Sequence, residues 1–267
     1  MGLLAGKVAV VTGSGRGVGR AVVHAFAEEG AAVTVSARSQ NEIDSVAEEI
    51  RVRGGRALAV QADIANQRDV DNLFARVLAE LGPVDVLVNN AATSGPSGMV
   101  WETQPAAWQD TLDINVVGAV RCVRAVAPTM IARRYGKIII VGSVAGRDSN
   151  WAATFPELAA YGVSKAAIIH FSTCLAAQLK PYGINVNCVG VYAQTRLSFE
   201  HNQAVAQLRG QAHFRLWDEL PAEKRVRSEE NVGVFVFLAS ALSDHITGQY
   251  IEANSQPGFR GAGRDRS

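Results

Sequence analysis

The feature that most constrains the fold is a regular alternation of short apolar runs with longer helical stretches. Strands are predicted at residues 8–12, 32–36, 57–61, 84–89, 137–141, 184–189 and 249–252. Most of these runs consist of Val, Ile and Leu without polar alternation, which is typical of strands covered on both faces. Helices are predicted between them at residues 17–29, 41–53, 67–81, 105–134, 156–181 and 228–241. Ser39 and Glu42 have the spacing of a capping box at the start of the second helix.

Repeated strand–helix units joined by right-handed crossovers build a parallel sheet. We therefore expect an α/β fold with a doubly wound, mostly parallel, seven-stranded sheet and helices on both faces, forming a single domain over residues 1–267. Two segments depart from the alternation. Residues 190–227 form a long polar and aromatic insertion, which we predict to be a substrate lid. Residues 258–267 are rich in Gly and Arg and are predicted to be a flexible tail.

Composition indicates a globular protein of a reducing compartment. The chain is 48% hydrophobic and 19% charged, and its net charge of +1 argues against nucleic acid as the main partner. No apolar run approaches the roughly 20 residues of a membrane span, and the N-terminus lacks the basic region of a signal peptide. Cys122, Cys174 and Cys188 lack metal-ligand spacing and are predicted to be buried free thiols. These observations predict a cytoplasmic protein with neither a nucleic-acid nor a membrane partner.

A glycine-rich turn, T-G-S-G-R-G-V-G at residues 12–19, separates the first strand from the first helix. This order places backbone N–H groups at a helix N-terminus, where the helix dipole favours a phosphate. Glycine also allows positive φ and a close approach of the main chain to a ligand. The alternative is a tight turn without a ligand, because a lone glycine motif is weak evidence.

Tyr161 and Lys165 form the most informative pair in the sequence. Positions four apart share one face of a helix, so the Lys165 ammonium is expected beside the Tyr161 phenol. An ammonium there, helped by a cationic cofactor ring, favours phenolate and lowers a pKa that is normally about 10. This makes Tyr161 a candidate acid–base group. The alternative is a buried Tyr and a surface Lys that are four apart by coincidence.

Further polar residues follow predicted strands or interrupt an apolar helix. Ser143 ends the fifth strand at the carboxyl edge, where open α/β sheets bind ligands, although a turn or capping role is an alternative. Asn89 and Asn90 end the fourth strand at the same edge. Asn115 is a polar residue within an apolar helix, and its alternative role is that of a satisfied buried amide.

Together these residues resemble the short-chain dehydrogenase/reductase family over roughly residues 7–252. The family's T-G-x-x-x-G-x-G motif is matched by Thr12, Gly13, Gly17 and Gly19, and its N-N-A-G motif by Asn89, Asn90 and Ala91, with Ala92 in place of the last glycine. The family's catalytic residues correspond to Asn115, Ser143, Tyr161 and Lys165.

The resemblance implies a Rossmann fold and hydride transfer between a nicotinamide and a ketone or secondary alcohol. Tyr161 would serve as the general acid or base at the oxygen, which Ser143 would polarise. Lys165 would also hold the ribose hydroxyls, and Asn115 would anchor a water of a proton relay. The implied cofactor contacts are Gly13, Ser14, Arg16, Gly17, Val18, Gly19, Arg38, Ser39, Asp63, Ile64, Asn90, Ala91, Tyr161, Lys165 and Thr195. The resemblance also implies a homotetramer or homodimer packed through helices 105–134 and 156–181.

The end of the second strand favours NADP as the cofactor. NAD-binding proteins usually carry a carboxylate there, but this chain has Ala37 followed by Arg38. With Arg16, two guanidiniums would face the 2′-phosphate, each contributing roughly 1.5–3 kcal/mol. Two surface arginines are the alternative, and an NAD-preferring dehydrogenase is the corresponding alternative function. Asp63 would accept from the adenine amino group, with a helix cap before Gln67 as its competing role.

The substrate side departs from the family. The usual Pro-Gly after the sixth strand is absent and the segment is shortened, which leaves Thr195 as the residue that reaches the carboxamide. A bulky apolar ketone or alcohol is expected if the cleft is lined by the nearby apolar residues, although lid packing or subunit contact is the alternative. These residues are Trp151, Phe199, Phe214, Leu216 and Trp217. The unusual loop also motivates a catalytically weak nucleotide-binding sensor, which the complete Asn, Ser, Tyr and Lys set disfavours. A sugar-nucleotide epimerase is disfavoured by the glycine spacing and the chain length.

Overall fold

The computed structural model describes residues 2–211 and 226–253. Its strands are β1 Val8–Thr12, β2 Ala32–Ala37, β3 Arg56–Gln61, β4 Val86–Asn89, β5 Gly136–Gly142, β6 Ile184–Val191 and β7 Tyr250–Ala253. They pair in parallel in the order β3-β2-β1-β4-β5-β6-β7. The strand order reverses between β1 and β4, so the loops that leave these two strands diverge and open a crevice at the carboxyl edge.

Helices cover both faces of this sheet. They are α1 Gly17–Glu28, α2 Gln40–Val52, α3 Gln67–Glu80, α4 Pro105–Leu112, α5 Gly118–Arg133, α6 Ser149–Thr154, α7 Ala159–Leu179, α8 Arg196–Leu208 and α9 Val232–Ala239. One buried apolar cluster joins the sheet to α3, α5 and α7, and a second joins the opposite face to α1, α2 and α9. The predicted doubly wound α/β fold is confirmed, with all seven strands parallel.

The long helix predicted over residues 105–134 contains a local irregularity. Between α4 and α5 the chain forms five residues of π-helix, Asp113–Val117. A π turn carries one extra residue and interrupts the regular main-chain hydrogen bonds, and such segments are frequent at functional sites. Asn115 is buried within it.

Two helices near the carboxyl edge were not predicted. Helix α6 precedes α7, and α8 occupies the first part of the predicted lid at residues 190–227. Val205 and Ala206 of α8 pack against Leu158 and the rings of Trp151 and Phe155. Residues 212–225 of the insertion, which include Phe214, Leu216 and Trp217, lie outside the described residues. The predicted tail at residues 258–267 also lies outside them.

Two expectations from composition are corrected. Cys122 and Cys188 are buried free thiols, but Cys174 is exposed, because it lies on the outward face of α7. By length and composition, the helical stretches Pro105–Arg133 and Pro156–Tyr182 could cross a membrane. Both pack on the sheet, with 39% and 44% of their most apolar windows buried. Core helices pass the same test.

Candidate active site

The glycine turn has the shape of a cradle that side chains would fill. Gly13 and Gly17 have φ of 64° and 58°, a conformation that glycine adopts without strain. A Cβ placed on Gly19 would lie 2.5 Å from Asn90 Nδ2. The turn therefore exposes main chain at the N-terminus of α1, and this geometry fits the phosphates of a dinucleotide.

Hydrogen bonds join this turn to the loop after β4. Asn90 Nδ2 donates to the carbonyl oxygens of Thr12 and Gly13 at 2.8 and 3.0 Å. Thr12 Oγ1 accepts from the backbone N–H groups of Asn90 and Ala91 at 3.0 and 3.1 Å. Asn89 is buried, and its side-chain amide has no hydrogen-bond partner among the described residues. A buried amide without partners is costly, so Asn89 is a ready donor and acceptor for a ligand in this crevice.

Ser14 differs from the other predicted contacts of the turn. Its hydroxyl donates to the Val11 carbonyl at 2.7 Å and accepts from the Ser36 N–H at 2.9 Å. Its backbone N–H also donates to the Ser36 carbonyl, and the residue is fully buried. Ser14 therefore joins β1 to β2, and its side chain has no capacity left for a phosphate.

The residues predicted to surround the adenosine lie at the surface beside the turn. Arg38 and Ser39 follow β2 and are exposed. Ser39 begins α2 without a side-chain capping bond, so the predicted capping box is wrong. Glu42 instead forms an ion pair with Arg16, with 3.4 Å between Oε1 and Nη1. Glu42 therefore pairs with Arg16 of the glycine turn and does not form a capping box with Ser39.

Asp63 and Ile64 follow β3 at the same edge. Asp63 Oδ1 accepts from the Ala65 N–H at 3.0 Å, while Asn66 is the residue that caps α3. The alternative role of Asp63 as the cap before Gln67 is therefore wrong. Ile64 is buried where α5 begins, and a Cβ placed on Gly118 would lie 2.6 Å from its Cδ1.

Ser143, Tyr161 and Lys165 come together under the carboxyl end of β5. All three are buried, with relative exposures of 9%, 8% and 4%. Ser143 Oγ accepts from the Ala145 N–H at 3.2 Å, so the serine does cap the turn after β5. Lys165 Nζ donates to the Val141 carbonyl at 2.9 Å and lies 5.7 Å from the centre of the Tyr161 ring.

The electrostatics of this group differ from the expected lowering of the Tyr161 pKa. Burial raises the pKa of Tyr161 to about 12, and a hydrogen bond with the Ser143 hydroxyl opposes this rise. Burial lowers the pKa of Lys165 to about 8. The ammonium is directed at Val141 and not at the phenol, so desolvation determines the pKa of Tyr161.

Asn115 connects the helix layer to this centre. Its Oδ1 accepts from the Thr93 N–H at 2.7 Å, and its Nδ2 donates to the Thr93 carbonyl and to Ser164 Oγ, both at 2.9 Å. The side-chain amide is therefore satisfied, as the alternative role of Asn115 required. The Asn115 side chain holds the loop after β4 against α7 at Ser164, which is three residues after Tyr161.

Helix α8 lies against Tyr161. The His201 ring lies edge-on to the Tyr161 ring, with 4.6 Å between their centres, and Trp151 lies 6.2 Å from Tyr161. His201 is buried, its Nε2 has no hydrogen-bond partner among the described residues, and burial lowers its pKa to about 4. Trp151 also packs with Phe155 against α8, which is the alternative packing role, whereas Phe199 is 65% exposed. The position of His201 could not be predicted from the sequence, because nothing in its spacing relates it to Tyr161.

The segment after β6 lies against the glycine turn. Thr195 caps α8, with its Oγ1 accepting from the Ser198 N–H at 3.2 Å. A Cβ placed on Gly17 would lie 3.6 Å from Thr195 Cγ2, so this residue packs over the turn. Gly190 occupies the space beside the Tyr250 hydroxyl, where a Cβ would clash. The absence of a side chain at Gly190 therefore leaves room for Tyr250.

Comparisons with known proteins agree with this architecture. The family model described as short chain dehydrogenase matches residues 7–204. A 3-oxoacyl-(acyl-carrier-protein) reductase of Staphylococcus epidermidis is 32% identical over 249 residues, covering 93% of this chain and 97% of that protein.

Two solved structures are similar over nearly the whole chain. A variant of actinorhodin polyketide ketoreductase, solved with NADPH, has a TM-score of 0.85 at 26% identity, covering 94% of this chain and 97% of its own. A gluconate 5-dehydrogenase from Burkholderia cenocepacia, solved with NADP and tartrate, has a TM-score of 0.80 at 30% identity, covering 94% of both chains.

Proposed function

Since the chain belongs to the short-chain dehydrogenase/reductase family, whose members oxidise CH–OH or reduce C=O groups with a nicotinamide cofactor, we propose that it is an NADP(H)-dependent oxidoreductase. Its substrate is a ketone or secondary alcohol, and Tyr161 is the general acid or base. The observation that carries this proposal is the buried cluster of Ser143, Tyr161 and Lys165 beside the glycine cradle.

Each residue of the cluster has a defined chemical task. When bound, the nicotinamide supplies or accepts the hydride. Tyr161 gives a proton to the substrate oxygen during reduction and takes it during oxidation. Ser143 would donate a hydrogen bond to the same oxygen, since its turn-capping bond uses it only as an acceptor and its hydroxyl can turn from Tyr161 to the substrate.

Because its pKa is raised to about 12, Tyr161 is a weak acid, and little phenolate is present at neutral pH to act as a base. Lys165 can change the charge beside the phenol, because among the described residues its Nζ makes one hydrogen bond, to the Val141 carbonyl. Turning the ammonium from Val141 toward the phenol would lower the pKa of Tyr161. We therefore assign Lys165 two tasks: binding the ribose hydroxyls of the cofactor and activating Tyr161.

Asn115 acts through the main chain. Its side-chain amide is already bonded to Thr93 and Ser164, so we assign it the positioning of the loop after β4. The π segment around it interrupts regular helical bonding, which supports a backbone carbonyl there as the anchor for a relay water.

NADP is proposed over NAD because Arg16 and Arg38 flank the end of β2, where no acidic residue ends the strand. Two of the similar structures were solved with NADPH or NADP. The proposed cofactor contacts are those predicted from the sequence, with Ser14 removed as a side-chain contact. Asn89 is added, because its amide is buried and unpartnered among the described residues.

The surroundings of Tyr161 support the proposed substrate class. Trp151 and His201 enclose the phenol, and α8 extends the enclosure as part of the lid. A pocket built largely of rings suits a bulky apolar ketone or alcohol. We further propose a cytoplasmic homodimer or homotetramer packed through α5 and α7, where Val163 of α7 is half exposed.

The test is a panel of ketones and secondary alcohols, assayed with NADPH or NADP and, separately, with NADH or NAD. We expect turnover of at least one bulky apolar member, faster with the phosphorylated cofactor. Turnover that prefers NADH would contradict the NADP assignment. Saturable dinucleotide binding without turnover of any panel member would favour the sensor function.

A further inference from the structure

The side chain of Glu42 does not interact with the N-terminus of its own helix, α2. Glu42 lies in the first turn of α2, where its sequence position suits a capping box with Ser39. That box is not formed, and Glu42 Oε1 lies instead 3.4 Å from Arg16 Nη1. The carboxylate therefore serves the glycine turn and not its own helix end.

The carboxylate lies at the junction of the glycine turn and the second strand. A Cβ placed on Gly15 would lie 3.1 Å from Glu42 Oε2 and 3.6 Å from the Cβ of Ala37, the last residue of β2. Arg38 follows directly, and its guanidinium has no ion-pair or hydrogen-bond partner among the described residues. A negative charge from α2 thus lies beside Arg16, one of the two arginines proposed to hold the 2′-phosphate.

We propose that Glu42 is a specificity-determining residue that competes with the cofactor 2′-phosphate for Arg16. This inference rests on the proposed NADP(H) function, and it concerns how strongly the chain discriminates NADP from NAD. In this account Arg16 exchanges its carboxylate partner for the phosphate when NADP binds, and Glu42 moderates the preference that the two arginines create.

The charges and exposures support such an exchange. A phosphate monoester carries about −1.5 to −2 charges at pH 7, so it repels a neighbouring carboxylate and binds a guanidinium more strongly than one carboxylate does. The Arg16 and Glu42 side chains are 51% and 36% exposed, and ion pairs of this kind contribute little to stability. Breaking the pair is therefore inexpensive, but the remaining like-charge repulsion still opposes NADP.

The test measures the Kd of NADPH and of NADH separately, by quenching of tryptophan fluorescence. Glu42→Gln is expected to tighten NADPH binding about five- to tenfold, with the gain shrinking at high salt, because it frees Arg16 for the doubly charged phosphate and also removes the repulsion between that phosphate and the carboxylate. NADH lacks that phosphate, so its Kd should stay within about twofold. The matched control is Asp44→Asn, which removes the same charge from an exposed residue of α2 that accepts from Gln40.

Equal effects of Glu42→Gln on the two cofactors, or an effect no larger than that of Asp44→Asn, would overturn the inference. So would a full-sized gain in an Arg16→Ala background, because the competition requires Arg16. These results leave the proposed function intact. If the unmodified protein binds neither dinucleotide, the proposed function itself fails, and this inference fails with it.

Discussion

The attachment of the lid helix provides a sharp test of the structure around Tyr161. Arg209, the residue at the end of α8, donates from Nε to Glu157 Oε1 at 2.7 Å and from Nη2 to Glu157 Oε2 at 2.8 Å. Its Nη2 also donates to the Thr154 carbonyl. Glu157 is 7% exposed and precedes α7, so this pair fastens α8 to the segment that leads to Tyr161.

Glu157→Gln keeps the shape of the side chain and removes its charge. Hydrogen bonds to charged groups contribute about 1.5–3 kcal/mol each, and the glutamine retains one acceptor, so about one such bond is lost. The Arg209 side chain is 29% exposed, and solvent screening favours the lower part of that range. Since about 1.4 kcal/mol is a factor of ten, local opening of α8 should become roughly tenfold more frequent.

Hydrogen exchange followed by mass spectrometry on peptides of α8 measures this opening directly. Glu200→Gln is the matched control, because it removes the same charge from an exposed pair with Arg196 within α8, worth only about 0.3–0.5 kcal/mol. We expect the control to change exchange by no more than about twofold. If Glu157→Gln changes the exchange of α8 no more than the control does, the pair does not hold the lid and the reasoning is refuted.

Three further results are expected. The Arg209 hydrogen bonds hold the pKa of Glu157 below its usual 4.5. The stabilisation from this pair is therefore present above pH 4.5 and is lost as the pH falls through the folded-state pKa. At such low pH the difference in α8 exchange between the unmodified protein and Glu157→Gln should vanish. Gly190→Ala should lower the Tm by about 3–10 °C by overpacking against Tyr250, and Tyr250→Val should restore most of the loss in calorimetry; an unchanged Tm in the single variant would contradict the packing. A thiol reagent at pH 8 should label Cys174 alone among the three cysteines of the folded protein, as judged by peptide mass, because the other two thiols are buried with raised pKa values; rapid labelling of either buried thiol would contradict this.

Much of the fold was predictable from the sequence because its strands are buried on both faces. Apolar runs located most strands, as β1 and β5 illustrate, and every predicted strand agrees with the observed one to within two residues at each end. Helix α8 was not predicted, because its packing depends on the distant Leu158 and on ring contacts that local patterning does not encode. The π segment at Asp113–Val117 was also missed, since its sequence is compatible with an ordinary helix.

The candidate site was predictable in its residues but not in its electrostatics. Motif spacing identified Tyr161 and Lys165, and the structure places both in one buried centre. Without a cofactor ring, burial and not the ammonium sets the direction of the Tyr161 pKa shift, because Lys165 Nζ binds a main-chain carbonyl that the sequence does not reveal. Glu42 likewise left its predicted capping role because Arg16, far away in sequence, lies close in the fold.

The central claim is that Tyr161 transfers the proton while NADPH reduces a ketone. Its most direct test is the rate of NADPH oxidation with the best ketone of the panel, in the unmodified protein and in Tyr161→Phe, after equal NADPH binding by both has been established. We predict that NADPH oxidation by Tyr161→Phe is slower by about 10²–10⁴-fold, as expected for removal of a general acid. A Tyr161→Phe protein that keeps its rate to within a few-fold would contradict it.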